Sequence, residues 1–116
     1  MTSAARYFAP PTGPSMIETF HADLPHGITL SCRASGPQGA PLVILLHGFP
    51  EAAFVWDEVL ALLAGRYRCV APNLRGFEQS SAPAEVGAYR PKHIVADIVA
   101  LAAHCNQAAG RAADAP

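Results

Sequence analysis

Residues 41–51 read Pro-Leu-Val-Ile-Leu-Leu-His-Gly-Phe-Pro-Glu, and this stretch decides the fold. Five apolar residues in succession, 42–46, end at a His-Gly pair, which is typical of a strand buried on both faces of a parallel sheet. From Glu51 to Ala64 the apolar residues recur at helical spacing. A buried strand, a glycine turn and a helix make half of a βαβ unit, and ligands of α/β proteins bind at the carboxyl end of such strands.

The rest of the chain supplies the neighbours of this strand. Segments 16–22 and 28–34 alternate apolar and polar residues around a turn, so we expect an antiparallel hairpin with one solvent-exposed face. Residues 66–72 predict the next strand, and Pro91 begins a second helix. The predicted apolar face of that helix comprises Ile94, Val95, Ile98, Val99, Leu101 and Ala102. A hairpin followed by parallel β-α-β-α predicts an α/β sheet with helices on its faces.

Composition limits the class of protein. The chain has 116 residues, of which 51% are hydrophobic and 15% charged, so we expect one domain with a packed core. The net charge of −1 provides no basic surface for nucleic acid, and no apolar run approaches the roughly 20 residues of a membrane span. Residues 1–15 lack the apolar core of a secretory signal and predict a flexible leader. The cysteines, at 32, 69 and 105, lack metal-ligand or redox spacing, so we expect free thiols in the cytoplasm.

The turn at 47–50 carries the one site that the residues themselves suggest. Gly48 lets the backbone turn tightly, and Pro50 has no N–H to donate. The backbone N–H of Phe49 therefore stands just past a buried strand, where a donor stabilises a developing oxyanion. Taken alone, the four residues are better explained as a strand-ending turn with a hydrogen-bonded histidine, His47.

In wider context the sequence resembles the α/β-hydrolase superfamily over residues 16–103. Members begin with an antiparallel hairpin and continue to a strand that ends in His-Gly-x-Pro, whose backbone supplies one oxyanion-hole N–H. Their next strand leads into an Asp-x-Arg-Gly-x-Gly-x-Ser loop, which reads Asn-Leu-Arg-Gly-Phe-Glu-Gln-Ser at 73–80. This loop matches the pattern at Arg75, Gly76 and Ser80 and departs from it at Asn73 and Glu78.

The turn, followed by Trp56, is most similar to epoxide hydrolases and the related dehalogenases. This resemblance implies a hydrolase that acts on a small-molecule substrate through a covalent ester to Asp or Ser, without a cofactor. It implies an oxyanion-hole role for the backbone of Phe49 and structural roles for the motif residues His47, Gly48, Pro50, Arg75, Gly76 and Ser80. We expect Arg75 to anchor its loop, and no metal site, because the histidines share no ligand spacing.

The sequence does not contain the rest of this chemistry. No Gly-x-Ser-x-Gly pentapeptide, nor a version with Asp in place of Ser, follows a predicted strand. We therefore expect an incomplete, truncated or frameshifted hydrolase domain over 16–103, followed by a disordered tail over 104–116. Such a chain is expected to be inactive alone and to meet a substrate only when completed.

In an incomplete domain the apolar strand at 42–46 is expected to promote association between chains. In the family it lies between the fourth and fifth strands, so without the fifth it is an uncharged edge that invites a homodimer or aggregation. Alternatives to the epoxide hydrolase interpretation are a serine esterase-type relative and a non-enzymatic module that pairs through this edge. A nucleotide-binding domain is disfavoured, because no Gly-x-Gly-x-x-Gly or Walker loop follows a strand.

Overall fold

The computed structural model describes residues 17–115, which form a small mixed sheet with helices on its faces. The strands are β1 (Glu18–Asp23), β2 (Thr29–Ser35), β3 (Leu42–Ile44) and β4 (Arg68–Pro72). The helices are α1 (Asp57–Leu63) and α2 (Pro91–Ala108), preceded by 3-10 turns at Ala53–Trp56 and Val86–Tyr89. The predicted leader at 1–15 lies outside the described residues. Within the described range no helix is long and apolar enough to cross a bilayer.

The sheet has the order β1-β2-β4-β3. Strand β2 pairs antiparallel with both β1 and β4, whereas β3 pairs parallel with β4. The predicted hairpin and the parallel β-α-β unit are therefore confirmed. Strand β3 lies at an edge, so its three residues are half-buried rather than enclosed on both sides.

Helices cover both faces of the sheet, and β3 shows how the faces are divided. Leu42 and Ile44 pack in one apolar cluster with Leu101 of α2. Val43 and Leu45 point the other way and pack in a second cluster with Leu60 of α1. This alternation follows from the two-residue period of a strand, which makes a continuous apolar run suitable only for a strand between two layers.

The prediction that one face of β2 is exposed to solvent is wrong. Ser35 is fully buried, and its hydroxyl donates to the carbonyl of Leu60 at 2.7 Å. Arg33 makes a two-pronged ion pair with Asp57, with both N···O distances at 2.7 Å. Alternation along β2 therefore marks a face that α1 covers through polar contacts.

The first helix begins later than predicted. Residues from Glu51 onward were expected to be helical, but a 3-10 turn begins at Ala53 and the α-helix at Asp57. The carboxylate of Glu51 instead accepts the N–H of Gly48 at 3.0 Å. The acid thus closes the preceding turn, a role that helical periodicity does not reveal.

The second helix continues into the segment predicted to be a disordered tail. It runs to Ala108, so residues 104–108 are helical, and Cys105 in this stretch packs against the apolar cluster that contains Leu101. In the last turn of α2, the Asn106 amide donates to the carbonyls of Ala113 at 3.1 Å and Ala115 at 2.9 Å, which lie beyond the helix end. The tail prediction is thereby corrected for 104–108, and the residues that follow fold back onto the helix end.

The predicted apolar face of α2 is wrong in part. Val95 and Val99 are 59% and 65% exposed, whereas Asp97 is 1% exposed and lies on the inner face. Its carboxylate accepts two hydrogen bonds from Arg75, at 2.7 and 2.6 Å, and one from His26 Nε2 at 2.8 Å. This ion pair joins α2 to the loop after β4 and to the turn between β1 and β2.

The surroundings of Asp97 set its pKa. Burial raises the pKa of this carboxyl, but hydrogen bonds from Arg75 and His26 outweigh burial and hold the pKa below its ordinary value. The hydrogen bonds from Arg75 to Asp97 raise the pKa of the guanidinium, against an opposing effect of burial. Both groups are therefore charged in the folded chain at neutral pH.

The loop after β4 contains two residues with left-handed backbone. Gly76 has φ +89°, and a Cβ built there would lie 2.7 Å from the Tyr89 ring, so only glycine fits. Glu78 has φ 47°, although it carries a side chain. Glycine is the residue that adopts this conformation without steric cost. The family pattern has glycine at this position, and the backbone of Glu78 supplies the physical reason.

We expect Asp97→Asn to lower the free energy of unfolding by about 3–5 kcal/mol, because it leaves the Arg75 guanidinium buried without a counter-charge. Because the pKa of Asp97 is lower in the folded chain, its ionised form stabilises the fold above the unfolded-state pKa. This stabilisation is lost as the pH falls through the folded-state pKa. The parent chain should therefore lose stability below about pH 4, and the variant should lack this acid dependence. Urea denaturation between pH 2 and 7 measures both effects. Asp114→Asn, the same change at an exposed site, is the control and should shift stability by less than about 0.5 kcal/mol.

We expect Glu78→Gly to raise the free energy of unfolding by about 1 kcal/mol, since it removes the steric cost of a side chain at positive φ. Thermal or urea denaturation measures the change. Glu85 is also exposed but has φ −84°, so Glu85→Gly should instead destabilise by about 0.5–1 kcal/mol. Equal effects of the two substitutions would contradict the assignment of strain to residue 78.

Candidate functional site

The turn after β3 is closed by contacts from both ends. The chain leaves the sheet after Leu45, whose N–H still donates to the carbonyl of Val70 at 3.0 Å. The N–H of Glu51 then donates to the Gly48 carbonyl at 2.8 Å, and the Glu51 carboxylate accepts the Gly48 N–H at 3.0 Å. Residues 48–51 are thus held in one conformation at the carboxyl end of an edge strand.

His47 is buried, and both of its ring nitrogens are engaged. Nε2 lies 3.0 Å from the backbone N–H of Leu74, which can only donate, so Nε2 is the acceptor and carries no proton. The proton is therefore on Nδ1, which donates to the Gly48 carbonyl at 2.9 Å. The imidazole bridges the turn and the loop after β4, so this histidine is placed as a positioning residue rather than as a base.

The backbone N–H of Phe49 makes no hydrogen bond to any residue between 17 and 115. Its side chain is 86% exposed, and the ring packs edge-on against Phe77 at a centroid distance of 6.2 Å. Phe77 also meets the His47 ring edge-on at 4.7 Å. The turn therefore presents one unsatisfied donor at an open surface, with two aromatic rings beside it.

The loop after β4 is fastened to β2 by two buried polar side chains. Asn73 accepts the N–H of Ala53 at 2.7 Å, and its amide nitrogen donates to the Ser31 hydroxyl at 2.9 Å. Ser80 accepts the Ser31 N–H at 2.9 Å and donates to the Asn73 carbonyl. A carboxylate at position 73 cannot donate to Ser31, so the departure from Asp has a partner that suits the amide.

Arg75 supports the loop and does not face the turn. Besides Asp97, its guanidinium donates to the carbonyl of Ala88 at 2.8 Å. Gly76 packs under the Tyr89 ring, whose hydroxyl donates to the Pro83 carbonyl at 2.7 Å. The predicted site residues therefore divide into the turn, 47–50, and a supporting loop that holds Arg75, Gly76 and Ser80.

Three contributors to the turn were not predicted from the sequence. They are Glu51, the N–H of Leu74 and the Phe77 ring. The helical pattern predicts that Glu51 belongs to a helix. Leu74 and Phe77 occupy variable positions of the loop motif, where no sequence signal marks them. Among residues 17–115 there is no group of three His, Cys, Asp or Glu side chains that could hold a metal ion.

A cleft of about 320 Å³ lies elsewhere, between the β1–β2 hairpin and the loop. Its lining includes Phe20, Arg33, Phe54 and Glu78. None of residues 47–51 lines this cleft, so it does not belong to the turn.

Comparison with known proteins places this arrangement in a family. Residues 41–109 match the family model for the alpha/beta hydrolase fold. An epoxide hydrolase of Caballeronia sordidicola is 36% identical over 77 residues, which cover 66% of this chain and 23% of that protein. Epoxide hydrolase A of Mycobacterium tuberculosis is 42% identical over 77 residues, which cover 66% of this chain and 24% of that protein.

A solved structure of epoxide hydrolases from metagenomes of hot environments is similar in fold and sequence. It aligns with a TM-score of 0.73 and 42% identity, over 76% of this chain and 30% of that one. The chain thus spans about a quarter of the length of the curated relatives it matches. Because the family model covers residues 41–109, more than half of the sequence, this chain belongs to the alpha/beta hydrolase family.

Proposed function

We propose that this chain supplies one oxyanion-hole donor of an epoxide hydrolase-like enzyme and that the donor is the backbone N–H of Phe49. The observation that carries the proposal is the free N–H at the carboxyl end of β3, in a turn held by His47 and Glu51. A donor fixed before reaction needs no reorganisation when charge develops, which is what makes oxyanion holes effective. The resemblance to epoxide hydrolases supports the substrate class.

In the proposed reaction an enzyme carboxylate attacks an epoxide carbon, the ring C–O bond breaks, the ring oxygen takes up a proton, and the substrate is held as an ester of that carboxylate. Water adds its oxygen to the ester carbonyl carbon, and the carbonyl oxygen takes up the negative charge. The Phe49 N–H donates to this oxyanion. As the tetrahedral species collapses, the ester C–O bond breaks, the alcohol leaves with a proton, and the carboxylate is restored.

The nucleophile and the base of this reaction are not assigned to residues of this chain. The sequence holds no nucleophile pentapeptide, and His47 has both ring nitrogens engaged. We therefore propose that the chain contributes to catalysis only together with those groups. A serine esterase-type relative would use the same donor for an acyl-serine ester, so esters are the second candidate substrate class. We also propose a cytoplasmic location, since three widely spaced cysteines suit a reducing compartment.

We expect the purified 116-residue chain to hydrolyse neither styrene oxide nor p-nitrophenyl acetate above the enzyme-free rate. Diol formation and p-nitrophenolate absorbance measure the two reactions. The epoxide hydrolase A of M. tuberculosis, assayed alongside, shows that the epoxide assay works. Turnover by the chain alone, at a rate that scales with its concentration, would show that it carries its own nucleophile.

We expect Phe49→Pro to lower kcat about 10²–10³-fold in a chimera, because proline removes the N–H and with it one oxyanion donor. The chimera is epoxide hydrolase A with its matching 77 residues replaced by those of this chain. Phe49→Ala, which keeps the N–H and removes the ring, is the matched control and should retain kcat within about threefold. Melting temperatures of the three proteins separate loss of the donor from loss of the fold. Equal kcat for the Pro and Ala variants, both folded, would rule out the donor role.

A further inference from the structure

We propose that the cleft of about 320 Å³ between the β1–β2 hairpin and the loop after β4 is a binding site for a small primary ammonium ion. The carboxylate of Glu78 binds the charged nitrogen, and the ring of Phe54 covers the carbon atoms beside it. The volume lies at the lower end of the range of small-molecule sites, roughly 300–1,000 Å³. Residues 47–51 do not line the cleft, so this site is separate from the candidate oxyanion donor.

The cleft lies at the end of the sheet that is farthest from β3. The sheet order is β1-β2-β4-β3. Thr19 and Arg33 are paired across β1 and β2, as are His21 and Ser31, and all four residues line the cleft. In the family the fifth strand lies beside β3, so a strand added there extends the sheet away from the cleft. The open edge of β3 therefore takes no part in forming this site.

The uncompensated charge of the cleft is negative. Among the described residues that line the cleft, Arg33 and Glu78 carry a formal charge. The Arg33 guanidinium is already paired, since Asp57 accepts from its Nε and Nη2 atoms at 2.7 Å each. The Glu78 carboxylate makes no hydrogen bond or ion pair with any residue between 17 and 115. A free carboxylate beside a neutralised arginine favours a cation over an anion.

Two further polar side chains specify the kind of cation. Thr19 and Gln79 line the cleft, and within residues 17–115 neither side chain has a hydrogen-bond partner. A hydroxyl and an amide each offer an oxygen that accepts hydrogen bonds. A primary ammonium group has three N–H donors for these oxygens and for the Glu78 carboxylate, whereas a quaternary ammonium ion has none. The lining therefore suits a protonated primary amine.

The backbone of Glu78 indicates that this side chain serves more than the fold. Its φ of 47° is costly for a residue with a side chain, and the family pattern has glycine here. Strained backbone of this kind occurs mostly at functional sites, where the surrounding structure fixes it. The turn is fixed by the Ser80 N–H, which donates to the Phe77 carbonyl at 3.0 Å, and by the buried Ser80 hydroxyl, which accepts the Ser31 N–H at 2.9 Å. The carboxylate is thus carried by a loop that is fastened to the cleft floor.

Phe54 supplies an exposed aromatic wall. It is 58% exposed, although its neighbour Ala53 is fully buried and donates its N–H to Asn73 at 2.7 Å. This bond ties the 3-10 turn that carries Phe54 to the loop that carries Glu78. An aromatic face attracts a cation and also packs against its apolar carbons. A carboxylate and an aromatic ring in one cleft therefore select an ammonium ion with a short apolar group.

An NMR titration of the full 116-residue chain tests the site with benzylammonium as the probe. We expect saturable shifts of the backbone amides of residues 54, 78 and 79 at about pH 7.5, where histidine side chains are ordinarily neutral. Benzyl alcohol and benzoate have the same ring without the positive charge. Each should bind at least about tenfold more weakly than benzylammonium. Equal binding of the alcohol, or tighter binding of benzoate, would overturn the assignment to a cation.

Substitutions locate the site. Glu78→Gln removes the charge but keeps a side chain on the same backbone, and it should raise the Kd for benzylammonium at least about tenfold. Glu85→Gln, the same change at an exposed glutamate outside the cleft, is the matched control and should leave the Kd within about twofold. Phe54→Leu should raise the Kd about threefold, because it keeps an apolar side chain but removes the ring face. The same amide spectra verify that each variant is folded.

Two results with these variants would overturn the proposal. One is a folded Glu78→Gln variant that binds benzylammonium as tightly as the parent chain. The other is a set of shifts confined to residues outside the cleft. Because the readout is binding alone, it does not depend on the outcome for the oxyanion donor.

Discussion

The ion pair between Arg75 and Asp97 is the interaction on which the candidate site depends. Both groups are almost fully buried, so each charge needs the other to remain in the interior. The pair fixes the loop after β4 against α2. That loop presents the Leu74 N–H to His47, and His47 in turn holds the Gly48 carbonyl. The orientation of the Phe49 N–H is therefore coupled, through three successive contacts, to helix α2.

The two departures from the family loop pattern differ in physical character. At position 73 the amide of Asn satisfies both an N–H and a serine hydroxyl, so the substitution is matched by its surroundings. At position 78 a side chain occupies left-handed backbone, and among residues 17–115 it makes no hydrogen bond or ion pair that would offset the steric cost. One departure is thus an exchange of hydrogen-bond chemistry, whereas the other is a steric cost. A pattern mismatch by itself does not distinguish these two cases.

Sequence patterns predicted the order and type of the elements, because the periods of strands and helices are properties of the local chain. They also located the turn at 47–50, since a glycine and a proline restrict the backbone wherever they occur. Element ends were less predictable. Glu51 was expected to begin a helix and instead closes a turn. Helix α2 continues to Ala108, with Cys105 packed on the core and Asn106 bound to carbonyls beyond the helix end, and these contacts are tertiary.

Only the tertiary structure decided which polar residues are buried and which apolar ones are not. Asp97 on α2 faces inward because Arg75 meets it from a loop that lies 22 residues earlier in the chain. Val95 and Val99, which the helical pattern places in the core, are exposed because no element of the described chain covers that flank. The sequence by itself determined that a donor follows the apolar strand. Whether that donor is free, and what holds it, depended on hydrogen bonds between distant segments, which no local period encodes.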